Sequence, residues 1–369
     1  MEFVVRKNDL LRELQLFQGI VERKNTIPIL ANVLMEAKGD EIRFLATDLE
    51  VGLRSKCKAN VNKPGSLTLP AKKFYEIVKS LPDTDIRVSE EKGGVRIAAD
   101  RFESRMQTLP REDFPTLPES AGASPATLSR SAVKEMVGKT QFAITGEDTR
   151  YFLNGALFVL RAGEMNLVAT DGHRLALVSV SRDSQPKPED ESKAILPKKT
   201  LGELGRLMAE GDGDIGYERG ENHLFFTAGD RLLISRMIDG QFPAYERVIP
   251  KANDKHIEFE RDRLTNAVKR VALMSNERSR AVKFQIDKGK VDVTSSSPDL
   301  GEAKETLPVE YSGAAMQICF NAQYVLDFLA AVATDVVSLE LKDEVSQAVM
   351  KPIGAEGYDY TYVIMPMRV

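Results

Sequence analysis

The sequence LATDLE occupies residues 45–50, and a similar sequence, VATDGH, occupies residues 168–173. The threonines at the same place in the two segments, Thr47 and Thr170, are 123 residues apart, which is one third of the 369-residue chain. The two six-residue segments share only Ala-Thr-Asp, which is a short match. It indicates a duplication only if other segments repeat with it in the same order.

Two further landmarks repeat in that order. LPAKK at residues 69–73 is matched by LPKK at 196–199, and Phe-Pro at 114–115 is matched by Phe-Pro at 242–243. The tripeptide SRM precedes each Phe-Pro pair, and all separations lie between 123 and 131 residues. A fainter third copy keeps the order in three segments: VDVTSS at 291–296, CFNA at 319–322 and VIMPM at 363–367.

A repeat of about 120 residues is too long for a solenoid unit and has the usual size of a whole domain. Segments rich in linker residues, at 119–125 and 250–254, separate the copies. The sequence therefore predicts three tandem domains of one topology, at residues 1–122, 127–250 and 251–369.

Each copy contains two apolar stripes at helical spacing. The expected helices span residues 8–24, 71–80, 129–140, 197–210, 261–280 and 321–333. The first helix of each pair is expected to open its copy, and Asn321 is expected to cap the last helix. Alternating apolar residues between the helices, such as Val51, Leu53 and Cys57, predict antiparallel strands. The predicted fold class is α+β.

Composition disfavours several classes of protein. Hydrophobic residues make up 42% of the chain and charged residues 29%, as in a folded globular protein. We expect a cytoplasmic protein with no membrane partner, because no apolar run approaches the roughly 18 residues of a membrane helix and the first residues lack a signal-peptide pattern. Cys57 and Cys319 lie far apart, and only three histidines are present. We therefore expect no metal site and no cofactor.

Two segments have the residue types of a chemical site. Residues 211–216 match the GxGxxG pattern, but they follow a predicted helix and precede a predicted strand, the reverse of the order in a dinucleotide site. We interpret them as a helix-to-strand turn. Asp171 and His173 could form an acid–base pair, so a hydrolase or transferase is one hypothesis; a turn that shapes a surface pocket is the other.

Charge is distributed unevenly along the chain. The net charge is −4, from 51 basic and 55 acidic residues, which taken alone disfavours nucleic acid as a partner. The six predicted helices together carry +8, so the rest of the chain carries −12. This division fits a molecule that presents one basic face to a polyanion.

The apolar segment at residues 363–367 is expected to end the last strand of the third copy, because Pro366 cannot donate a ladder hydrogen bond. Methionine side chains at an exposed strand end can adapt to several partners. A peptide-docking surface is therefore a second hypothesis for this segment.

The three copies, together with RYFLNG at residues 150–155, TDGHRL at 170–175 and MPMR at 365–368, resemble the sliding-clamp family, the β subunits of bacterial DNA polymerase III. The resemblance covers the whole chain. It implies three copies of the DNA-clamp domain per chain and a head-to-tail homodimeric ring, with helices around the central hole and strands outside. It also implies a non-catalytic processivity factor that encircles double-stranded DNA without reading its sequence.

The resemblance implies DNA contacts at a set of basic and aromatic residues: Lys24, Lys72, Lys73, Arg150, Tyr151, Phe152, Lys198 and Lys199. Some relatives carry tyrosine at the position of Phe152 and arginine at that of Lys24. Phe152 keeps the aromatic ring but lacks the hydroxyl group.

The resemblance further implies a hydrophobic cleft between the second and third copies that binds partner peptides. Its expected residues are Leu153, Thr170, Gly172, His173, Arg174, Leu175, Pro243, Arg247, Val248, Val345, Val363, Met365, Pro366 and Met367. The implied partners are the α subunit of the replicative DNA polymerase, the clamp loader, and other polymerases and repair proteins with clamp-binding motifs.

The resemblance places Leu273 and Met274 in the dimer interface. The aromatic residue that the family contributes from the other side aligns near Ser104, so that contact stays open. The alternative function is a monomeric peptide-binding scaffold that does not encircle DNA.

Overall fold

The computed structural model describes residues 1–21, 26–120, 126–146, 148–182 and 192–368. Two α-helices lie in each predicted copy, as the apolar stripes indicate. They are α1 (Lys7–Phe17), α2 (Ala71–Ser80), α3 (Arg130–Thr140), α4 (Lys198–Met208), α5 (Arg261–Ala272) and α6 (Ala322–Ala331). The prediction for Asn321 is confirmed, since its side chain accepts a hydrogen bond from the backbone N–H of Gln323 at 2.9 Å and caps α6.

The strands also repeat by copy. The first copy contains β1 (Glu2–Arg6), β2 (Asn32–Lys38), β3 (Glu41–Thr47), β4 (Val51–Lys58), β5 (Asn60–Lys63), β6 (Gly65–Pro70), β7 (Asp85–Glu91), β8 (Gly94–Ala99) and β9 (Phe102–Met106). The second contains β10 (Ala126–Leu128), β11 (Gly155–Arg161), β12 (Glu164–Thr170), β13 (Arg174–Ser181), β14 (Ser192–Pro197), β15 (Ile215–Arg219), β16 (His223–Ala228) and β17 (Arg231–Arg236). The third contains β18 (Lys255–Glu260), β19 (Ala281–Asp287), β20 (Lys290–Ser297), β21 (Gly301–Pro308), β22 (Met316–Asn321), β23 (Val336–Leu341), β24 (Ala348–Ile353) and β25 (Asp359–Ile364).

The order of elements confirms three copies of one topology. The second and third copies both run strand, helix, four strands, helix, three strands, and the first copy differs by the additional strand β5. Every strand pair among the described residues is antiparallel, from the β1–β5 pair to the β8–β9 pair. The α+β fold class is therefore confirmed.

The expectation that a helix opens each copy is wrong, because the strands β1, β10 and β18 precede the helices α1, α3 and α5. These strands have five, three and six residues. In β1 only Phe3 and Val5 are buried, and in β18 only Ile257 and Phe259. Two inward residues carry too little of a period-2 pattern to distinguish a strand from a loop.

Two predicted helices extend more than one helical turn beyond the observed C-terminal ends. Helix α1 ends at Phe17, just before Gln18 and Gly19, and glycine is a poor helix former. Helix α5 ends at Ala272. Beyond it the side chain of Asn276 accepts a hydrogen bond from the backbone N–H of Arg278 at 2.9 Å, which closes a turn instead of a further helical turn.

The chain forms two compact units. The first comprises Met1–Lys134 and Lys199–Met237, and its larger sheet has the order β10-β15-β16-β17-β4-β3-β2-β6. Strands of the first and second copies join within this sheet, where β17 pairs with β4 so that Ser235 faces Val51. The smaller sheet has the order β5-β1-β7-β8-β9, and β9 has no further strand partner among the described residues.

The second unit comprises Glu135–Lys198 and Ile238–Val369, and it repeats this plan. Its larger sheet has the order β14-β11-β12-β13-β25-β24-β23-β18, and the second and third copies join where Leu175 of β13 faces Val363 of β25. Its smaller sheet has the order β21-β20-β19-β22, with β21 at an edge of the described sheet. The units thus group strands by sheet, and the domain boundaries predicted from the repeat stay a prediction.

The helices keep their basic character with the observed bounds. From α1 to α6 their net charges are 0, +2, +2, +2, +3 and −1, which gives +8 in total. None of the helices in the described ranges is long and apolar enough to cross a membrane.

Candidate docking cleft and nucleic-acid interface

The Thr-Asp pair of the first landmark builds the turn between β3 and β4. The Thr47 hydroxyl donates to the carbonyl of Val51 at 3.0 Å and accepts from the N–H of Leu49 at 2.9 Å. Asp48 Oδ1 accepts from the N–H groups of Glu50 and Val51 at 2.9 and 2.7 Å. Short polar side chains commonly close turns in this way.

The turn between β12 and β13 has the same hydrogen bonds. The Thr170 hydroxyl donates to the carbonyl of Arg174 at 2.7 Å and accepts from the N–H of Gly172 at 3.1 Å. Asp171 Oδ1 accepts from the N–H groups of His173 and Arg174 at 2.9 and 3.0 Å. Turn geometry therefore explains why Thr-Asp occurs in both copies.

The residue after Asp lies in the left-handed backbone region in both turns, with φ of 79° at Leu49 and 86° at Gly172. Glycine adopts this conformation without steric cost. A Cβ atom at position 172 would also lie 3.3 Å from the guanidinium nitrogens of Arg150. Gly172 therefore allows the left-handed backbone conformation of this turn and leaves space for the guanidinium of Arg150.

The acid–base hypothesis for Asp171 and His173 finds no support in this geometry. Both carboxylate oxygens of Asp171 are occupied, Oδ1 by the turn and Oδ2 by Arg174 Nε at 3.0 Å. Residues 211–216 connect α4 to β15, and Gly211 and Gly213 have φ of 81° and 85°. The interpretation of this segment as a helix-to-strand turn is confirmed.

The Arg174 side chain joins the second copy to the third. It is 9% exposed and forms ion pairs with Asp171 of the same turn and with Asp327 of α6. Its Nη2 donates to the carbonyl of Phe142 at 2.8 Å, and the ring centroid of Tyr324 lies 4.3 Å from its guanidinium carbon. Arg174 was predicted as a cleft residue, and its guanidinium is enclosed by the protein.

A buried apolar cluster, called the floor below, includes two residues of the predicted cleft. Its buried members come from six strands and from the segment after Ile238: Leu157, Val159, Val168, Leu175, Ile195, Tyr245, Val349 and Val363. Partly buried side chains pack against it: Phe152, Leu177, Ile238, Phe242 and Ile249. The floor therefore contains Leu175 and Val363 of the predicted set.

The predicted cleft residues differ in exposure. Four are buried and can act only from beneath the surface: Leu153, Arg174, Leu175 and Val363. Seven are exposed: Gly172, His173, Pro243, Arg247, Val248, Val345 and Met365. Three are half-buried: Thr170, Pro366 and Met367. The backbone N–H of Met365 donates to the carbonyl of His173 at 2.9 Å, which holds the C-terminal segment against the turn.

Sequence reasoning missed four apolar residues that pack against the floor, Leu177, Ile238, Phe242 and Ile249. Leu177 follows Leu175 by two residues, so the period-2 pattern of β13 places both on one face. Phe242 belongs to a repeated landmark, of which only Pro243 was assigned to the cleft. These two signals were present in the sequence.

Three predicted DNA contacts are consecutive residues after α3. Tyr151 is 57% exposed, Phe152 is half-buried against the apolar cluster, and their ring centroids are 5.9 Å apart. Arg150 is exposed and pairs with Asp148, its Nη2 lying 2.8 Å from Asp148 Oδ2. The hydrogen bonds from Arg150 lower the pKa of Asp148 to about 2. A phosphate group at Arg150 would therefore compete with a carboxylate that is ionised at neutral pH.

Several of the lysines predicted to contact DNA already have hydrogen-bond or ion-pair partners within the protein. Lys198 donates to the carbonyl of Ile144 at 2.9 Å. Lys199 donates to the carbonyl of Ile20 at 3.1 Å and forms an ion pair with Asp48. On α2, Lys72 is half-buried and Lys73 pairs with Glu76. Lys24 lies outside the described residues.

The predicted dimer residues differ in exposure. Leu273, just after α5, is 76% exposed, and Met274 is half-buried. Leu273 lines a pocket of about 470 Å³ together with Leu300, which is 54% exposed, and Leu326. Ser104 is half-buried in β9, and Phe102, two residues earlier on the same strand face, is 38% exposed. Sequence reasoning missed Phe102.

Within the described ranges, no group of three or more His, Cys, Asp or Glu side chains is arranged to hold a metal ion. Burial raises the pKa of Cys57 to about 12, and it also raises that of Cys319. Both thiols are therefore poor nucleophiles.

Comparison with known proteins matches this chain to one family along its length. Models of the DNA polymerase III beta subunit match residues 1–118 (N-terminal domain), 127–244 (central domain) and 246–368 (C-terminal domain). The beta sliding clamp of Pseudomonas aeruginosa is 39% identical over 373 residues, and that of Escherichia coli K12 is 36% identical over 371 residues. Each comparison covers 100% of both chains.

Solved structures agree with the sequence matches. A crystal structure of the Pseudomonas aeruginosa sliding clamp bound to griselimycin has a TM-score of 0.94 and 37% identity, and that of the Caulobacter crescentus clamp has a TM-score of 0.91 and 36% identity. Both comparisons cover 100% of each chain. The fold is therefore that of a three-domain sliding clamp.

The chain belongs to the DNA polymerase III beta subunit family. It is a DNA sliding clamp and processivity factor, and it is not an enzyme. The hypothesis of a hydrolase or transferase around Asp171 and His173 is therefore wrong, and the monomeric scaffold is not favoured.

Proposed function

We propose that two copies of this chain close head to tail around double-stranded DNA in the cytoplasm. The ring holds the α subunit of the replicative polymerase, and its docking clefts also accept the clamp loader and other polymerases and repair proteins. Its domains are the three repeats at 1–122, 127–250 and 251–369. One observation carries this proposal. Successive copies are joined in the same way at two junctions inside the chain, and the two surfaces that would form a third such junction, one on the third copy and one on the first, have no partner among the described residues.

The first junction has a strand pair and a helix contact. Strand β4 of the first copy pairs with β17 of the second. Lys199, at the start of α4 in the second copy, reaches back to the first copy, to the carbonyl of Ile20 and the carboxylate of Asp48.

The second junction has the same two parts. Strand β13 of the second copy pairs with β25 of the third. Asp327 on α6 of the third copy reaches back to Arg174 in the turn before β13. In both junctions the third sheet strand of one copy meets the last strand of the next.

The open halves match this rule. The third copy has β21 at a sheet edge and the exposed Leu273 after α5, and the first copy has β9 at a sheet edge and the helix α2. We infer that β21 pairs antiparallel with β9 of a second chain, with α2 of that chain against Leu273 and Met274. Exposed Phe102 on β9 then supplies the aromatic contact that Ser104 lacks.

DNA binding follows from the helix charge. The six helices together carry +8, and Arg150 and Tyr151, in the loop after α3, are exposed. Contacts of this kind neutralise phosphates without reading bases, so the ring slides along the duplex. The proposed contacts are Lys24, Lys72, Lys73, Arg150, Tyr151, Phe152, Lys198 and Lys199.

Partner docking follows from the cleft. Its exposed apolar residues include Val248 (39% exposed), Val345 (64%) and Met365 (40%), above a buried apolar floor. Such a surface suits a short peptide that inserts apolar side chains. We propose that the α subunit and the other partners compete for this site.

Introducing a carboxylate into the cleft should prevent docking. We expect the double variant Val345→Asp with Met365→Asp to bind the purified α subunit at least about tenfold more weakly, because docking would bury charges in an apolar contact. Affinity can be measured by surface plasmon resonance, with circular dichroism to verify folding.

The matched control is Ile353→Asp, since Ile353 is a 37% exposed apolar residue of β24 that was not assigned to the cleft. It should bind the α subunit like the unmodified chain. Equal affinities for the cleft variant and the unmodified chain would refute docking at this cleft.

A further inference from the structure

Equivalent rows of side chains cross the large-sheet strands of the first two copies and the small sheet of the third. Each row takes one residue from each of four neighbouring strands. The row of the first copy is Thr68, Leu34, Leu45 and Arg54. The row of the second copy is Ile195, Leu157, Val168 and Leu177. The row of the third copy, called here the third-copy row, is Cys319, Lys283, Thr294 and Lys304.

In each of the first two copies, the segment that follows the copy's last strand, β9 or β17, packs over that copy's row. The Thr108 hydroxyl donates to the carbonyl of Thr68 at 2.7 Å, and Phe114 then packs in one cluster with Leu34. In the second copy, the N–H of Ile238 donates to the carbonyl of Ile195 at 3.0 Å, and the segment goes on to bury Tyr245 in the apolar floor.

The third copy begins the same way but leaves its row open. The N–H of Met367 donates to the carbonyl of Cys319 at 2.8 Å, at the position where the other two segments start. A pocket of about 790 Å³ then lies over the row, lined by Lys283, Thr294 and Lys304 and by Arg278 from the turn after α5.

The third-copy row is cationic where the second is apolar. Arg278, Lys283 and Lys304 are exposed, and among the described residues Glu302 is the only acidic one that lines the pocket. Lys304 pairs with Asp292 at 2.8 Å, whereas no ion pair to Lys283 or Arg278 is found within the described ranges. An apolar cover would bury these charges without partners, which is costly. A carboxylate-bearing segment would pair with them.

We propose that an acidic, extended segment of a docked partner protein lies in this pocket along the third-copy row. This inference deepens the proposed function and rests on it, because Cys319, which lines the pocket, is hydrogen-bonded to a residue of the predicted cleft. Met365, Pro366 and Met367 belong to the predicted cleft, and the backbone N–H of Met367 donates to the carbonyl of Cys319 at the end of the row. A partner peptide that leaves the cleft past Met367 would continue toward the pocket that Cys319, Lys283 and Arg278 line. This connection favours a protein segment over nucleic acid.

Fluorescein-labelled hexaglutamate is the probe for this site, with hexalysine as its counterpart of opposite charge. The full-length protein should bind hexaglutamate and not hexalysine, and added salt should weaken binding. The double variant Lys283→Glu with Arg278→Glu should bind hexaglutamate about tenfold more weakly. The matched control Lys288→Glu changes an exposed lysine at the β19–β20 turn and should stay within about twofold of the unmodified protein.

Two results would overturn the proposal. One is an equal loss of affinity in the double variant and in Lys288→Glu, which would mean that only total charge matters. The other is a larger loss for a short duplex DNA than for hexaglutamate in the double variant, which would assign the pocket to nucleic acid. The cleft is tested separately, because Val345→Asp with Met365→Asp should lose the α subunit and keep hexaglutamate. Failure at the cleft is thus distinguishable from failure at the row.

Discussion

Replacing Arg174 with alanine should lower the free energy of unfolding of the second unit by about 3–5 kcal/mol. The side chain is 9% exposed, and it pairs with Asp171 and Asp327 while donating to the carbonyl of Phe142. Its removal leaves two carboxylates, 15% and 21% exposed, without their main partner. Urea and thermal unfolding would measure the loss.

The matched control is Arg150→Ala. Arg150 also forms an ion pair with a nearby aspartate, Asp148, but its side chain is 53% exposed. Its removal should therefore lower the free energy of unfolding by at most about 1 kcal/mol. Similar losses for the two variants would show that the enclosed guanidinium of Arg174 is not what holds α6 to the turn.

Leu273→Asp should separate the dimer into monomers. Leu273 is 76% exposed and adjoins Leu300, which is 54% exposed, beside the pocket that also contains Leu326. An apolar patch of this kind is typical of a protein interface, and burying a carboxylate there would weaken association at least about a hundredfold. Sedimentation velocity at low micromolar concentration would show the shift in mass.

Val345→Asp provides the control for this experiment, because it makes the same kind of change at a 64% exposed apolar residue in the cleft. It should remain a dimer and lose affinity for the α subunit, whereas Leu273→Asp should do the reverse. A dimer that persists in Leu273→Asp, or one that Val345→Asp also breaks, would contradict the interface that we propose.

The sequence predicts the copies better than it predicts how they join. The landmarks lie at strand–turn and strand–helix borders, where Thr-Asp hydrogen bonds and the proline before a helix impose local geometry. The β17–β4 and β13–β25 pairs join residues about 180 apart, such as Ser235 with Val51 and Val363 with Leu175. Such pairing depends on which edges meet in space, which no local pattern contains.

In the candidate site, too, features with a local sequence pattern could be predicted, and contacts between distant residues could not. The methionine-rich segment at 363–367, which contains Met365, indicated a docking surface from the residues alone, whereas Val345 was assigned to the cleft only through the family resemblance. The enclosure of Arg174 could not be predicted, because its partner Asp327 lies 153 residues away on another copy's helix. Leu177 and Phe242, in contrast, carried usable signals in strand alternation and in a repeated landmark.

The central claim, topological linkage to DNA, is tested most directly on a nicked circular duplex. The clamp loader would place the protein on the circle, a high-salt wash would remove electrostatically bound protein, and a restriction enzyme would then linearise the DNA. We predict that the protein survives the wash on the intact circle and is released when the circle is cut. Loss from the intact circle during the wash, or retention on the linear DNA with free ends, would contradict encirclement.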